Sequence, residues 1–424
     1  YIYSMNRRHL LKSMGLGLAT APILPAEAFV LDTFFESEGD ATDEQFWRKF
    51  ARQHYSVSSD FINLENGYFG VQPNSVLQAY QANIKKVNTY SSRFMRQEFY
   101  QKDYPEIKQV LADIAGVDSE ELLITRNATE ALNILIQGLN LRKGDEVILQ
   151  YHDYHSMIET FQMLEGTIGI SLKFVDVPLV PKNHQEIIDI YASAITTKTR
   201  CILLTHLTHL TGQIMPVKEI SKLAKTKGID VIVDAAHSFA QLDYKFPDLG
   251  ADFIGVNLHK WFSNPLGTGL MYIKKERIKE IKPLFGDNKK ASDNINKLGH
   301  YGTPATPIIM TISEAAKFQH LVDISRKEAR LRYLKQYWVK EAQSIDRVII
   351  TTPLAAEQSC ALASFKMENI EAKKIVNILD EKFGVFTVIR NLQNDTVVRI
   401  TPNLYNTTDH LDRLLTGITS ISKS

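Results

Sequence analysis

Residues 256–273 read VNLHKWFSNPLGTGLMYI and place one lysine, Lys260, between a histidine and a tryptophan, just after a short β-branched segment. The residues before the lysine, FIGVN at 253–257, are typical of a buried strand, and GLMYIKK at 269–275 predicts another strand. A charged amine at the end of a buried strand is unfavourable unless it has a partner or a function. The stretch therefore predicts a polar site at the end of a strand.

Five further apolar segments have the length and composition of strands, and helical-period stretches separate several of them. They are ELLITR (121–126), EVILQ (146–150), LKFVDV (172–177), CILLTHL (201–207) and DVIVDAA (230–236). Strands that alternate with helices predict an α/β fold, here with a seven-stranded, mainly parallel sheet covered on both faces. Ligands of such sheets bind at the carboxyl ends of the strands.

The C-terminal third has a different pattern. A long helical region near 311–345 precedes the candidate strands QSCALASFKM, GVFTVI and TVVRIT and a closing helix, HLDRLLTGITSI. We therefore expect a large α/β domain over 76–305, a smaller α+β domain over 306–424, and a linker with an N-terminal segment over 29–75.

The N-terminal residues resemble an export signal. Met5 begins a run that contains the paired arginines Arg7 and Arg8, a short apolar region, and a small-x-small sequence ending at Ala28. This pattern predicts a twin-arginine-type signal peptide over 1–28, a periplasmic location, and no membrane anchoring after its removal. The apolar region is too short to span a bilayer. A disordered amphipathic tail on a cytoplasmic protein is the alternative.

Composition excludes several classes of function. The 424 residues carry a net charge of +1, without a basic run interleaved with aromatics, which argues against a nucleic-acid partner. Cys201 and Cys360 are too few for a disulfide framework or a zinc site. The histidine pairs 152/155 and 206/209 lie on or beside strands, where odd spacing points side chains to opposite faces. We expect no metal site.

Two interpretations of the strand ends stay open from the residues alone. VIVDAAHSF places Asp234 at the end of one strand, and the next strand runs into Lys260. The two residues form a buried salt bridge, or Lys260 forms a Schiff base with pyridoxal 5′-phosphate (PLP) while Asp234 keeps the pyridine nitrogen protonated. The turn at 127–129 in LLITRNATEALNIL is either a phosphate site at a helix start or a capped helix.

The motifs TRNATEALN, YHDYHSM, HLTHLTGQIMPV, VDAAHSF, LHKWFSNPLGTG, YGTPA and VVRITPNLYNT occur in this order along the chain. Together they resemble the class V aminotransferase family of PLP-dependent enzymes, in its isopenicillin N epimerase-like and cysteine desulfurase-like branch. The resemblance runs from about residue 61 to the C-terminal helix. It implies PLP as the cofactor and the fold-type I architecture, in which a homodimer builds each active site from both subunits.

The resemblance also implies roles for individual residues. Lys260 matches the lysine that forms the Schiff base, Asp234 matches the pyridinium partner, and Arg399 matches the arginine that binds the substrate carboxylate. The remaining positions are expected around the cofactor and substrate: Ala128, Thr129 and His259 at the phosphate, Thr303 at the phosphate of the neighbouring subunit, His152 or Tyr154 stacked on the ring, His237 near the ring hydroxyl, and His209 near the substrate.

The expected reaction takes place at the α-carbon of an amino acid or a small derivative. Desulfurases of the family carry a nucleophilic cysteine just before the carboxylate-binding arginine, and GVFTVIRNLQNDTVVRI has none. We therefore expect epimerase/racemase-like or aminotransferase chemistry rather than a desulfurase-like lyase. A catalytically silent exported binding protein is a further alternative. A nicotinamide-dependent oxidoreductase is not expected, because TRNATEA lacks a glycine-rich turn.

Overall fold

A computed structural model describes residues 39–286 and 290–423 of the chain. The predicted signal peptide, 1–28, lies outside the described residues. The chain from Asp40 onward forms one compact unit, and the predicted division between residues 305 and 306 stays a prediction. In the described part of the chain, no helix has the length and apolar character needed to cross a membrane.

The elements are labelled in chain order. The strands are β1 (Ile62–Asn63), β2 (Leu122–Thr125), β3 (Glu146–Gln150), β4 (Ser171–Val175), β5 (Thr199–Thr205), β6 (Asp230–Asp234), β7 (Phe253–Asn257), β8 (Gly269–Ile273), β9 (Val348–Ile350), β10 (Ala363–Met367), β11 (Val385–Phe386), β12 (Val388–Asn391) and β13 (Thr396–Ile400). The α-helices are α1 (Glu44–His54), α2 (Asn74–Phe94), α3 (Tyr104–Ala115), α4 (Ala128–Gly138), α5 (His155–Ile168), α6 (His184–Ala194), α7 (Val217–Thr226), α8 (Thr306–Val322), α9 (Ile324–Ala342), α10 (Ala372–Phe383) and α11 (Thr408–Ser422). A π-helix, Met95–Asp103, joins α2 to α3.

Seven strands form the large sheet, in the order β2-β8-β7-β6-β5-β3-β4. Strand β8 runs antiparallel to β2 and β7, and the other neighbours are parallel. All seven strands predicted from the sequence lie in this sheet, so the predicted fold class is confirmed. The strands are apolar because helices cover them: Leu132 and Leu135 of α4 share a buried core with Leu203, Ile232 and Met271 of the sheet.

The second sheet is antiparallel and has the order β12-β13-β10-β9. Its core contains Trp338 of α9, Phe365 of β10, Leu379 of α10 and Leu414 of α11. The sequence did not predict β9, which has three residues that are all partly exposed. The predicted helical region near 311–345 is two helices, because Asp323 has a φ of 64° and its side chain caps α9.

The segment before α2 is folded against the C-terminal part of the chain. Helix α1 buries Phe46, Trp47 and Phe50 on one face. Strand β1 pairs in parallel with β11, and Glu65 forms a bridge with Thr401 after β13. This pairing places Glu65 beside Arg399 of β13 and Gly70 against the backbone of Lys260.

Candidate active site

A cavity of about 170 Å³ lies at the carboxyl ends of β5, β6 and β7, beside the first turn of α4. This is the edge where parallel sheets bind ligands. Eight residues predicted for the site line it: Ala128, Thr129, Tyr154, His209, Asp234, His237, His259 and Lys260. The structure therefore brings together residues that are spread over more than a hundred positions of the sequence.

Lys260 is buried, and its environment disfavours the charged amine. Burial lowers the pKa of Lys260 to about 7, although the charge of Asp234 opposes this shift. Its Nζ lies 2.9 Å from Nε2 of His237. Gly70 packs against the lysine backbone so closely that a Cβ there would lie 2.7 Å from the Lys260 carbonyl oxygen. An amine with this pKa is ready to act as a nucleophile and a base near neutral pH.

The backbone after Lys260 is held from α8 and α9. The ammonium of Lys327, which is itself buried, donates to the carbonyl oxygen of Trp261. Nε2 of Gln319 donates to the carbonyl oxygen of Phe262 at 2.9 Å. These bonds satisfy carbonyls that would otherwise be buried without partners, and they fix the segment that carries the lysine.

Asp234 ends β6 in a buried position. Its Oδ1 accepts a 2.9 Å hydrogen bond from Ala236 N, and burial raises the pKa of its carboxyl. Lys260 contacts His237 instead of forming an ion pair with Asp234, so the salt-bridge interpretation does not describe this site. The carboxylate has no direct ion-pair partner among the described residues, and a protonated pyridine nitrogen would supply one.

The first turn of α4 has the features of a phosphate site. Asn127 caps the helix by accepting from Glu130 N at 2.8 Å, and Ala128 N donates to Oδ1 of Asn257 at 2.8 Å. Thr129 N, at the second helical position, belongs to the first-turn amides that have no acceptor within the helix. The helix dipole favours an anion there.

His259 lies beside this turn and is half-buried. Its Nδ1 lies 3.1 Å from the carbonyl oxygen of Thr268, which can only accept, so Nδ1 carries the proton. Burial and the charge of Lys260 lower the pKa of His259 to about 4. The imidazole is thus neutral near pH 7, and Nε2 donates to a phosphate only when the phosphate charge raises this pKa.

The sequence left open whether His152 or Tyr154 stacks on the cofactor ring. The structure gives these two side chains different surroundings. Tyr154 lines the cavity and packs edge-on against His209, with ring centroids 5.4 Å apart. His152 is buried and is not among the residues that line the cavity.

Nδ1 of His209 and Nδ1 of His237 have no hydrogen-bond partner among the described residues. Burial lowers the pKa of both histidines.

Two other predicted residues lie outside the cavity lining. Arg399 is fully buried, and its Nη2 donates to both carboxylate oxygens of Glu65, at 2.6 and 2.8 Å. Thr303 is exposed on the segment before α8. The carboxylate-binding role of Arg399 and the phosphate-binding role of Thr303 stay predictions.

Sequence reasoning missed several residues at or beside the cavity: Glu65, Tyr68, Thr205, Asn257 and Arg390. Asn257 carried a usable signal, because it is a polar residue at the end of an apolar strand, as Asp234 is. Tyr68 and Glu65 lie in the motif NLENGYFG, whose distance from the strands gives no hint of where it folds.

The residues present fit PLP. The cavity combines a buried amine, a buried carboxylate, a helix N-terminus, and two buried imidazoles, each with a ring nitrogen that has no hydrogen-bond partner in the described part of the chain. Buried polar groups without partners are rare in native proteins and require an explanation. A ligand with an aldehyde, a basic ring nitrogen and a phosphate supplies the missing partners.

Curated relatives match most of the chain. Isopenicillin N epimerase of Streptomyces clavuligerus is 22% identical over 395 residues, covering 88% of this chain and 98% of that protein. A probable cysteine desulfurase of Halobacterium salinarum is 26% identical over 390 residues, covering 85% of this chain and 91% of that protein.

Solved structures share the fold. The apo cysteine desulfurase of Thermococcus onnurineus NA1 superposes with a TM-score of 0.78 at 20% identity, over 88% of this chain and 98% of that chain. A lysine-to-alanine variant of C-DES, with glycine covalently linked to its PLP cofactor, superposes with a TM-score of 0.76 at 22% identity, over 85% and 97%. The family profile described as "Aminotransferase class-V" matches residues 71–414. The chain therefore belongs to the class V aminotransferase family of PLP-dependent enzymes.

Proposed function

We propose that this enzyme moves the α-proton of an amino acid or small amino-acid derivative, as an epimerase/racemase-like enzyme or as an aminotransferase. The buried amine of Lys260, with a pKa of about 7 and 2.9 Å from His237, is the observation that carries the proposal. A base of this pKa exchanges protons readily near neutral pH. The substrate class is the one that PLP enzymes of the family act on.

PLP, when bound, withdraws electrons from the α-carbon and so acidifies its proton. Lys260 would hold the cofactor aldehyde until the substrate amine replaces it, and its Nζ then accepts the α-proton. His237 Nε2, at 2.9 Å, orients this amine and can share its proton. Asp234 would keep the pyridine nitrogen protonated, and the first turn of α4 with His259 would hold the phosphate.

The positions of the cysteines argue against a desulfurase-like lyase. Cys201 and Cys360 are both fully buried, and neither lines the cavity. Burial raises the pKa of the Cys360 thiol to about 12, and its Sγ lies 4.0 Å from the carbonyl oxygens of Gln241 and Glu328. A thiol with this pKa is a poor nucleophile near neutral pH.

The reaction is tested by loading the purified chain with PLP and adding single L- and D-amino acids in deuterated buffer. Deuterium at the α-carbon, with inversion seen by chiral chromatography, identifies an epimerase or racemase. A keto acid and a shift of the cofactor absorbance to the pyridoxamine form identify an aminotransferase. Sulfide release from cysteine that survives Cys360→Ser and Cys201→Ser would contradict the argument from the cysteines.

The variant Lys260→Ala distinguishes an enzyme from a catalytically silent binding protein. If this variant supports the protein's role in the cell as well as the natural chain does, the enzyme proposal fails. If the natural chain exchanges α-deuterium with no amino acid, the proposal fails as well.

The assembly we propose is a homodimer in which Thr303 contacts the phosphate of the neighbouring subunit. Thr303 is exposed and is not among the residues that line the chain's own cavity, and both observations support this arrangement. Sedimentation of the loaded enzyme tests the dimer. Thr303→Ala is expected to weaken PLP binding in the dimer, and unchanged PLP affinity would contradict the role of Thr303.

We also propose that the protein is exported, on the basis of Arg7 and Arg8 in the N-terminal sequence. Cell fractionation of the natural chain and of a variant with both arginines replaced by lysine tests this. Export of the natural chain alone is expected, and equal cytoplasmic retention of both would contradict it.

A further inference from the structure

A second buried aspartate, Asp153, lies beside the carboxyl end of the large sheet. It is 3% exposed and stands in the turn between β3 and α5, one position before Tyr154. Asp153 is not among the residues that line the cavity, and the proposed reaction does not use it. A buried carboxyl is unfavourable unless it has partners or a function, so its contacts require an explanation.

Asp153 divides its two oxygens between a local turn and the neighbouring strand. Oδ2 accepts from Gln150 N at 2.8 Å, and Nε2 of Gln150 lies 3.4 Å from Oδ1. Oδ1 also accepts from the hydroxyl of Thr205, the last residue of β5, at 2.6 Å. Closing the turn needs only Oδ2, so the bond to Thr205 is an additional contact that reaches the next strand of the sheet.

Thr205 connects this carboxyl to Asp234. Strands β5 and β6 are parallel and pair Thr205 directly with Asp234, so both side chains point to the same face of the sheet. Both residues line the cavity. When Asp153 is ionised, the single hydroxyl proton of Thr205 goes to it, and only lone pairs remain on Oγ1. In the described part of the chain, Oγ1 makes no hydrogen bond besides the one to Asp153.

The two aspartates are buried acidic groups that act on each other. Burial raises the pKa of Asp153 to about 7, the hydrogen bonds from Thr205 and Gln150 oppose this shift, and the charge of Asp234 adds to it. Another titratable group facing Asp153 is the phenol of Tyr191 on α6, whose hydroxyl lacks a hydrogen-bond partner among the described residues. A cation that enters the cavity beside Asp234 would therefore favour the ionised form of both carboxyls.

We propose that Asp153 is a positioning residue of the cofactor site. It fixes the Thr205 hydroxyl as an acceptor beside Asp234 and, together with Asp234, makes this edge of the sheet suited to a cationic ring nitrogen. A neutral Asp153 would no longer fix the direction of the bond with Thr205, so the effect requires the ionised carboxylate. The inference goes beyond the proposed function, because it concerns how the cofactor is bound and holds for either reaction.

The probe is pyridoxine 5′-phosphate, added to the full chain without PLP. This compound has the ring nitrogen and the phosphate of PLP, and an alcohol replaces the aldehyde, so it cannot react with Lys260. Its dissociation constant is measured by calorimetry at about pH 5.5 and about pH 8, on either side of the pKa of Asp153. The variants are Asp153→Asn, Thr205→Val and Thr205→Ser, with Asp230→Asn at the other end of β6 as the matched control.

At the higher pH, Asp153→Asn and Thr205→Val are each expected to weaken binding roughly tenfold, because the charge-assisted bond that orients the hydroxyl is lost. At the lower pH, Asp153 is already neutral in the natural chain, so Asp153→Asn should change the affinity by less than about threefold. Thr205→Ser keeps the hydroxyl and should bind within about threefold of the natural chain at both pH values. Asp230→Asn should bind as the natural chain does.

The inference is overturned by unchanged affinity of Asp153→Asn at the higher pH, or by a loss of equal size at both pH values, which a merely structural role would produce. Thr205→Ser binding as weakly as Thr205→Val would overturn it as well, and so would absence of saturable binding to the natural chain. If Asp153→Asn does not fold, the two Thr205 variants still decide the question. Failure of the proposed function is distinguishable, because it appears only with amino acids and leaves this comparison unaffected.

Discussion

Strand β6 begins and ends with an aspartate, and the two carboxylates have opposite surroundings. At the amino end, Asp230 accepts a 2.8 Å hydrogen bond from Arg277, which also reaches Asp252 at 2.8 Å. At the carboxyl end, Asp234 accepts from Ala236 N and has no ion pair among the described residues. One edge of the sheet thus carries a cluster of ion pairs, and the other carries a buried aspartate without an ion pair among the described residues.

The same contrast separates two buried lysines. Burial lowers the pKa of both Lys260 and Lys327 to about 7. Lys327 donates to Trp261 O and to Oε1 of Gln319, whereas the Lys260 amine forms a hydrogen bond with a single group among the described residues, Nε2 of His237. Lys327 is thus satisfied by neighbouring residues of the chain, whereas Lys260 lies in the lining of the cavity, where a ligand can reach it.

Removing the amine of Lys260 is expected to reduce α-proton exchange more than any of the other changes. Lys260→Ala should lower α-proton exchange by roughly 10²- to 10⁴-fold, because the general base and the covalent attachment of PLP are both lost. The measurement is deuterium incorporation at saturating amino acid, with PLP retention followed by absorbance. Lys225→Ala, at the opposite edge of the sheet, is the control and should keep full activity. Comparable losses of α-proton exchange in both variants would contradict the role of Lys260 as the general base and the attachment point of PLP.

The two aspartates of β6 provide the next comparison. Asp234→Asn should reduce kcat roughly 100-fold, since a charge that stabilises the reacting state is replaced by a neutral group. Asp230→Asn should leave kcat unchanged, because Asp230 lies at the other end of the strand. Equal kcat values for the two variants would show that the missing counter-charge of Asp234 has no functional meaning.

The lowered pKa values of Lys260 and Lys327 also predict that the stability of the protein without cofactor depends on pH. In the unfolded chain a lysine holds its proton up to about pH 10.5, and in the folded chain Lys260 and Lys327 release it near pH 7. Between these values the unfolded chain binds more protons, so this contribution makes stability rise with pH above about 7. Raised cysteine and tyrosine pKa values act in the opposite direction at higher pH.

Urea unfolding at pH 7 and pH 9 measures this slope. Lys260→Met and Lys327→Met should each reduce the gain in stability between the two pH values, because each removes one such proton. Lys225→Met, an exposed lysine, is the matched control. A slope that neither buried-site variant changes would contradict the lowered pKa values.

The site residues that lie at or just after the end of a strand were predictable from the sequence. Asp234 and Lys260 each follow an apolar run, and adjacent parallel strands bring such ends together. The Glu65–Arg399 pair was not predictable, since the residues are 334 positions apart and meet only because β1 pairs with β11. Which of His152 and Tyr154 faces the cavity depends on a two-residue offset in a turn, and composition carries no information on that.

The smallest expected effect is the change in the free energy of unfolding when the Asp230–Arg277 ion pair at the amino end of β6 is removed. The side chains of Asp230 and Arg277 are 29% and 21% exposed, so water already screens their attraction. Asp230→Asn should therefore lower the free energy of unfolding by less than about 1 kcal/mol, and high salt should reduce the difference. Asp234→Asn in the protein without cofactor should not destabilise the fold, because it removes a buried charge that forms no ion pair with the described residues. If Asp234→Asn destabilises the fold more than Asp230→Asn does, the carboxyl-end aspartate has a structural partner after all, and the contrast between the two edges fails.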